Sequence, residues 1–178
     1  MALFTGKGDG GTTKTFGCDQ QRISKASELP EALGSLDELN AFLGFVKMRS
    51  GTEPLVQKIV HETQENLFIV QAEVAGADKH IQEETVKNVE EIVNGIEKEI
   101  PPIKSFSIAG GTELSAMLDV ARTLARRAER RVIAVREKGL RELGDHTMAY
   151  LNRLSSLLFA LARLTNHLAG VAEENPKY

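Results

Sequence analysis

The run Arg122-Thr-Leu-Ala-Arg126-Arg127-Ala-Glu129-Arg130-Arg131 sits in a segment whose apolar residues recur at steps of four and three: Leu114, Leu118, Ala121, Ala125, Ala128, Val132 and Val135. That spacing marks a helix with one buried stripe. The whole chain carries a formal charge of −3, yet Asp119 to Arg141 holds eight Lys/Arg against three Asp/Glu. On a helical wheel at about 100° per residue, Arg122, Arg126 and Glu129 fall along one edge of the stripe, while Arg127 and Arg131 turn well away. Charge bordering a core is unfavourable unless an opposite charge meets it. Two readings follow: a solvated face with i,i+3 and i,i+4 ion pairs, or a wall against which an anion binds.

Similar spacing recurs in four more segments. One begins at Pro30, a residue suited to a first turn, and runs on Leu33, Leu36, Leu39, Leu43 and Val46 to about Arg49. Thr52-Glu-Pro54 reads as a cap and first turn for a second helix on Leu55, Ile59, Val60, Leu67, Val70 and Val74. A third is expected over roughly Glu84 to Glu99, and Pro101-Pro102 ends it. Thr112 caps the basic helix, which stops near Lys138-Gly139. Asp145 can cap the last helix, from about His146 to Ala169, on Leu151, Leu154, Leu158, Leu161, Thr165 and Leu168.

No strand pattern emerges. The fold expected is all-α, an up-and-down five-helix bundle of the four-helix-bundle type, preceded by a glycine-rich N-terminal ligand loop. The 178 residues suit one domain, with residues 1–29 as the loop, 30–171 as the bundle and 172–178 as a frayed tail.

Composition narrows the function classes. The chain is 42% hydrophobic and 26% charged, which reads as soluble and globular. A pI near 5.9 leaves no dominant basic surface for nucleic acid. Glu53 to Glu99 carries eleven Asp/Glu against four Lys/Arg, a solvated acidic face unsuited to phosphate. The single cysteine, Cys18, excludes an intrachain disulfide framework and a cysteine-rich metal site. Met-Ala-Leu-Phe-Thr-Gly-Lys lacks an apolar core for a signal peptide, and no 18-residue apolar run exists. A cytoplasmic protein without membrane contact is expected.

The N-terminal stretch Thr5-Gly-Lys7-Gly8-Asp9-Gly10-Gly11-Thr12-Thr13-Lys14, with Arg22 and Lys25 after it, is too rich in glycine for a helix or strand interior. It is either a loose tail or a ligand loop whose amides, hydroxyls and lysines face an anion. The P-loop pattern is absent.

Other chemistries lack their residues. His61, His80, His146 and His167 provide neither paired Glu-x-x-His motifs for a di-iron bundle nor a His-Glu-x-x-His zinc helix. Cys18 has no nearby histidine to make it a nucleophile. What remains is a polyphosphate-binding system of lysine-bearing loop and arginine helix. Phe106, in the connection after Pro101-Pro102, reads most simply as core. Asp37 and Glu38, near the first helix start, either favour the helix dipole or pair with an arginine from elsewhere.

Five motifs in order carry a resemblance: Thr5-Gly-Lys-Gly-Asp9-Gly-Gly-Thr-Thr13; Arg22 with Lys25; Gly34-Ser-Leu-Asp37-Glu-Leu-Asn40; Arg126-Arg-Ala-Glu129-Arg-Arg131-Val; and Tyr150-Leu-Asn152-Arg153-Leu-Ser155. Together they resemble the PduO-type ATP:cob(I)alamin adenosyltransferases over essentially the whole chain. The resemblance implies transfer of the 5′-deoxyadenosyl group from ATP to cob(I)alamin, release of triphosphate, and base-off binding of cob(II)alamin for reduction. It implies a homotrimer with active sites at subunit interfaces, and Mg²⁺ carried on the ATP phosphates, not by a protein metal site. A flavin-dependent reductase and an adenosylcobalamin-dependent enzyme are the further partners it suggests.

By the same resemblance, Thr5, Gly6, Lys7, Gly8, Asp9, Thr13, Lys14 and Lys25 wrap the nucleotide, with Arg126, Arg127, Glu129, Arg130 and Asn152 against it. Arg126, Asp37 and Phe106 are the expected catalytic residues. Asp37 pairs with an arginine across the interface, and Phe106 displaces the corrinoid's lower ligand, against its simplest reading as core. Asp119 and Arg122 lie near the corrin. The chain departs from the family at Ala109 and Asp119, where Pro and His are common. A nucleotide-sensing or corrinoid-carrying bundle without transfer, and a purely structural helical trimer, are the competing classes.

Overall fold

The computed structural model describes residues 4–16 and 21–178; Cys18 and Met1 to Leu3 lie outside the described residues. Five helices make up nearly all of it: α1 Glu28–Arg49, α2 Pro54–Ala75, α3 Glu83–Glu99, α4 Glu113–Glu137 and α5 Asp145–Leu168. Ahead of them two strands, β1 Thr12–Thr13 and β2 Ile23–Ser24, pair antiparallel with Thr12 opposite Ser24. This ladder corrects the strand-free expectation. Strands of two residues are too short to show any alternation in the sequence.

The helices form where apolar spacing demands burial. Leu29, Leu36, Leu39, Leu43 and Val46 of α1 face Leu118, Ala125, Ala128 and Val132 of α4 in one core that also takes in α2 and α5. The principal helix neighbours are α1 with α2, α1 with α4, α4 with α5, and α3 with α5. Two helical hairpins therefore lie side by side, and α3 covers α5. From Ala160 to Asn166 every residue of α5 is buried. A helix buried all round occupies the middle of a bundle, more than the one-stripe reading implied.

The capping residues differ from expectation at two ends. Thr112 does cap α4, its hydroxyl accepting from the Ser115 amide at 3.0 Å. Thr52 does not cap α2; Glu53 holds that position, without a side-chain cap. Asp145 does not cap α5 and instead accepts from Arg136 Nη2 at 2.7 Å. The N-cap residue is Gly144, and its amide is met by Glu73 at the end of α2, a carboxylate only 3% exposed. Its Oε1 accepts from the Gly144 amide at 2.7 Å and its Oε2 from the Thr147 hydroxyl. A buried carboxylate is tolerable there because it meets one free amide, one hydroxyl and the positive end of the α5 dipole.

Three ion pairs join α1 to α4 along their length: Glu38 with Arg127, Glu31 with Arg131 at 3.3 Å, and Glu28 with Lys138. As numbers fall on α1 they rise on α4, so the two helices run antiparallel. Among the described residues no helix is long and apolar enough to cross a membrane.

Within the tail, Glu174 and Asn175 are bonded to the connection before α4. Glu174 O accepts from the Ile108 amide at 2.7 Å, and Asn175 Oδ1 from the Ser105 hydroxyl at 2.8 Å. A charged, proline-containing tail gives no periodic signal, so only the tertiary partners reveal its place.

Candidate functional site

The N-terminal loop is closed by its own bonds. Asp9 N donates to Gly6 O at 3.2 Å and Gly11 N to Gly8 O at 3.1 Å, two successive turns. Arg22, just ahead of β2, clasps them: Nε donates to Thr12 Oγ1 at 2.8 Å, and Nη2 to Thr12 O at 2.6 Å and Lys7 O at 2.5 Å. A Cβ at Gly8 would lie 3.0 Å from the Lys25 ammonium. Lys25 therefore folds over the loop, with its own amide bonded to Gly11 O at 2.9 Å. Thr5, Gly6, Lys7, Asp9, Lys14 and Lys25 are exposed, and Gly8 and Thr13 half-buried.

On α4 the ion pairs sort the arginines. Arg127 and Arg131 are taken by α1. Arg122 Nε lies 3.4 Å from Asp119 Oδ1, and its guanidinium sits over the Phe159 ring at 5.8 Å. Arg126 and Arg130, one turn apart and exposed, pair with nothing among the described residues. Two like charges at i,i+4 repel mildly, so this face has cationic capacity to spare. The wheel placed Arg122 and Arg126 together; contacts separate them, Arg122 being the satisfied one.

Beside that pair, Asn152 Nδ2 donates to Glu129 Oε1 at 3.1 Å, joining α5 to α4. Asn152 points outward because Tyr150 and Leu151 before it are fully buried anchors. Burial also drives the Tyr150 phenol far above its ordinary pKa, so it stays neutral. Asp37 is exposed and pairs with nothing among the described residues.

Phe106 is 79% exposed, so core packing does not describe it. Its connection ends in a heavily bonded turn. Gly110 N donates to Asp119 Oδ2 at 3.2 Å, and Gly110 O accepts from Ser115 Oγ at 3.1 Å and Asn166 Nδ2 at 2.8 Å. Asn166 Oδ1 accepts from Thr112 N at 2.9 Å. Gly111, at φ +109°, leaves no room for a Cβ against the Asn166 amide. Asp119, expected near a corrin, is buried in this turn and anchors it. A cleft of about 220 Å³ lies between Ile108–Gly111 and Val171–Glu174.

Ser115, Asn166, Glu173 and Asn175 escaped the sequence reading. Each acts by bonding to backbone or to a distant side chain, which leaves no spacing signature. The chain brings Arg126, Glu129, Arg130 and Asn152 to one face. The contacts just after the N-terminal loop run elsewhere: Thr15 meets Arg141, past the C-terminal end of α4, and Phe16 lies against Gly76, past the end of α2.

A family model described as cobalamin adenosyltransferase matches residues 3–165. The chain is 37% identical over 175 residues to a Citrobacter freundii protein named corrinoid adenosyltransferase PduO, covering 94% of this chain and 50% of that protein. It is 34% identical over 180 residues to the corrinoid adenosyltransferase of Bacillus subtilis, covering 97% and 91%. The chain thus spans about half the length of the Citrobacter PduO relative and nearly all of the Bacillus one. Among solved structures, a variant PduO-type ATP:corrinoid adenosyltransferase from Lactobacillus reuteri, complexed with cobalamin and ATP, matches at TM-score 0.92. That pair is 28% identical, with 99% of this chain and 97% of the other covered. Another variant from the same organism, complexed with ATP, matches at TM-score 0.91 with 28% identity over 98% and 100%.

Proposed function

This chain belongs to the cobalamin adenosyltransferase family, and on that footing we propose that it transfers the 5′-deoxyadenosyl group of ATP to cob(I)alamin. The cobalt(I) electron pair forms the bond to the 5′ carbon as the carbon–oxygen bond breaks. Triphosphate leaves with that bond's electrons, and adenosylcobalamin is the product. The protein need supply no nucleophile. It aligns cobalt with carbon and meets the charge of the leaving group.

The observation that carries this reading is the pair Arg126 and Arg130, unpaired beside the Glu129–Asn152 contact while every other arginine on α4 has a partner. Guanidiniums without counter-ions suit a triphosphate, which they grip through paired N–H groups. Lys7, Lys14 and Lys25 on the N-terminal loop add point charges. The segment that follows the loop meets Arg141 and Gly76 and not Arg126, which supports a site completed by a second copy in a homotrimer. Asp37, exposed and unpaired, is the residue proposed to meet an arginine of the neighbouring subunit.

No group of three or more His, Cys, Asp or Glu among the described residues would hold a metal. Mg²⁺ is proposed to ride on the phosphate oxygens, where it neutralises charge. Phe106 is proposed to cover the lower face of cob(II)alamin and exclude its axial ligand, which eases one-electron reduction by a flavin-dependent reductase. We place the protein in the cytoplasm, supplying an adenosylcobalamin-dependent enzyme.

Incubation with ATP, Mg²⁺ and chemically reduced cobalamin tests the proposal. Adenosylcobalamin and triphosphate should appear in equal amounts. Intact ATP beside unreacted cob(I)alamin would overturn it.

A further inference from the structure

We propose that the C-terminal segment Glu173–Asn175 positions Phe106, holding the ring out in solvent on a fixed backbone. The role of the ring rests on the reading above; the anchoring rests on the geometry alone.

An aromatic on a loose loop gains by folding back onto apolar surface, of which Ile103 and Ile108 offer some nearby. Phe106 does not fold back. Its connection is pinned at four points, three of which involve the tail or the side chain that holds the tail. Arg163, on α5 and only 7% exposed, donates through Nη2 to Pro101 O at 2.7 Å, fixing the start of the connection. The same guanidinium grips Glu173 through Nε at 2.5 Å and Nη2 at 3.3 Å. With Glu173 fixed, the next two residues reach the connection itself: Asn175 Oδ1 takes the Ser105 hydroxyl and Glu174 O takes the Ile108 amide. These two bonds bracket Phe106. The fourth point is the Gly110 turn held by Asp119, Ser115 and Asn166.

A buried arginine spanning two segments is a strong anchor because its planar fork loses little freedom in holding both. Ordering the flanking backbone beforehand removes an entropy loss that corrinoid binding would otherwise carry. Glu173 and Asn175 are thus positioning residues; they act through Phe106 and touch no reacting atom.

The test uses tail-side substitutions, which leave the core untouched. The chain contains no tryptophan, so Phe106→Trp installs a single fluorescent reporter. Adding Glu173→Ala and Asn175→Ala should lower the indole's anisotropy markedly, with helix content unchanged. In the Phe106 background the same pair should raise half-saturating cob(II)alamin about tenfold and leave that for ATP within about twofold. Restoring the carboxylate as Glu173→Asp should recover part of the loss. Unchanged anisotropy would overturn the anchoring. Lower anisotropy with unchanged corrinoid binding would overturn the positioning role. If the parent chain makes no adenosylcobalamin, the transferase reading fails, and the anisotropy comparison still decides the anchoring.

Discussion

Asn152 on α5 presents a carboxamide fixed from both sides: its Nδ2 donates to Glu129 Oε1 at 3.1 Å, and its Oδ1 accepts from Arg153 Nη1 at 2.7 Å. Arg153 is in turn held by Glu90 of α3 at 2.8 Å. Three helices therefore orient one amide beside Arg126 and Arg130. Asn152→Ala and Glu129→Gln should each weaken ATP binding. Because the two groups act as one unit, the double variant should lose less than the sum, by about 1 kcal/mol. A calorimetric double-mutant cycle measures this, and strictly additive losses would remove the unit.

Arg126 and Arg127 are adjacent in sequence and opposite in consequence. Arg126→Ala removes a cation with no partner, so stability should hold or rise slightly while adenosylation falls by about 100-fold or more. Arg127→Ala breaks a half-exposed pair with Glu38 and should alter stability by at most about 1 kcal/mol. Its turnover should stay at least about tenfold above that of Arg126→Ala. Urea unfolding beside steady-state rates separates the two, and equal kinetic losses would contradict the division.

Phe106→Ala keeps every backbone anchor of its connection and deletes only the ring. ATP binding should be unchanged, and the absorbance signature of cob(II)alamin without its lower ligand should vanish. A variant that still shows that signature would sink the assigned role.

His80 donates toward Glu73 and Asp78, each at 3.0 Å. The Glu73 contact first, then Asp78, raises its pKa above the ordinary 6.5. A raised folded value means the protonated form contributes stability fully below 6.5, and that contribution fades as pH climbs through the folded value. The parent chain should therefore lose thermal stability relative to His80→Asn across that window. Parallel melting curves over the range would refute the linkage.

The helices were legible because burial imposes a period, and Leu114 to Val135 kept it for six turns. Ends were less so. Asp145 looked like a cap because sequence cannot show that Glu73, 71 residues away from Gly144, already meets the amide there. The wheel correctly separated Arg127 and Arg131 from Arg126, but it could not reveal that Glu38 and Glu31 take them. Asp119 illustrates the converse limit: the resemblance implies only that it lies near a corrin, and no spacing in the sequence reveals that its carboxylate also accepts from the Gly110 amide. Phe106 was placed outside the core by family resemblance alone, since an aromatic in a loop has no period to betray its exposure.

The ladder between α1 and α4 bears on alignment more than on strength. Where the two helices meet, α4 offers Ala125 and Ala128 between Leu118 and Val132, and the two small side chains would mesh almost as well after a slip of one turn, about 5.4 Å. An apolar seam of that kind leaves longitudinal register weakly specified. The pairs Glu38–Arg127, Glu31–Arg131 and Glu28–Lys138 are satisfied together at this register, and a slip of one turn would break up the set. Individually weak surface contacts thus act as a vernier. They set α4 at the one height where Glu129 stands level with Asn152.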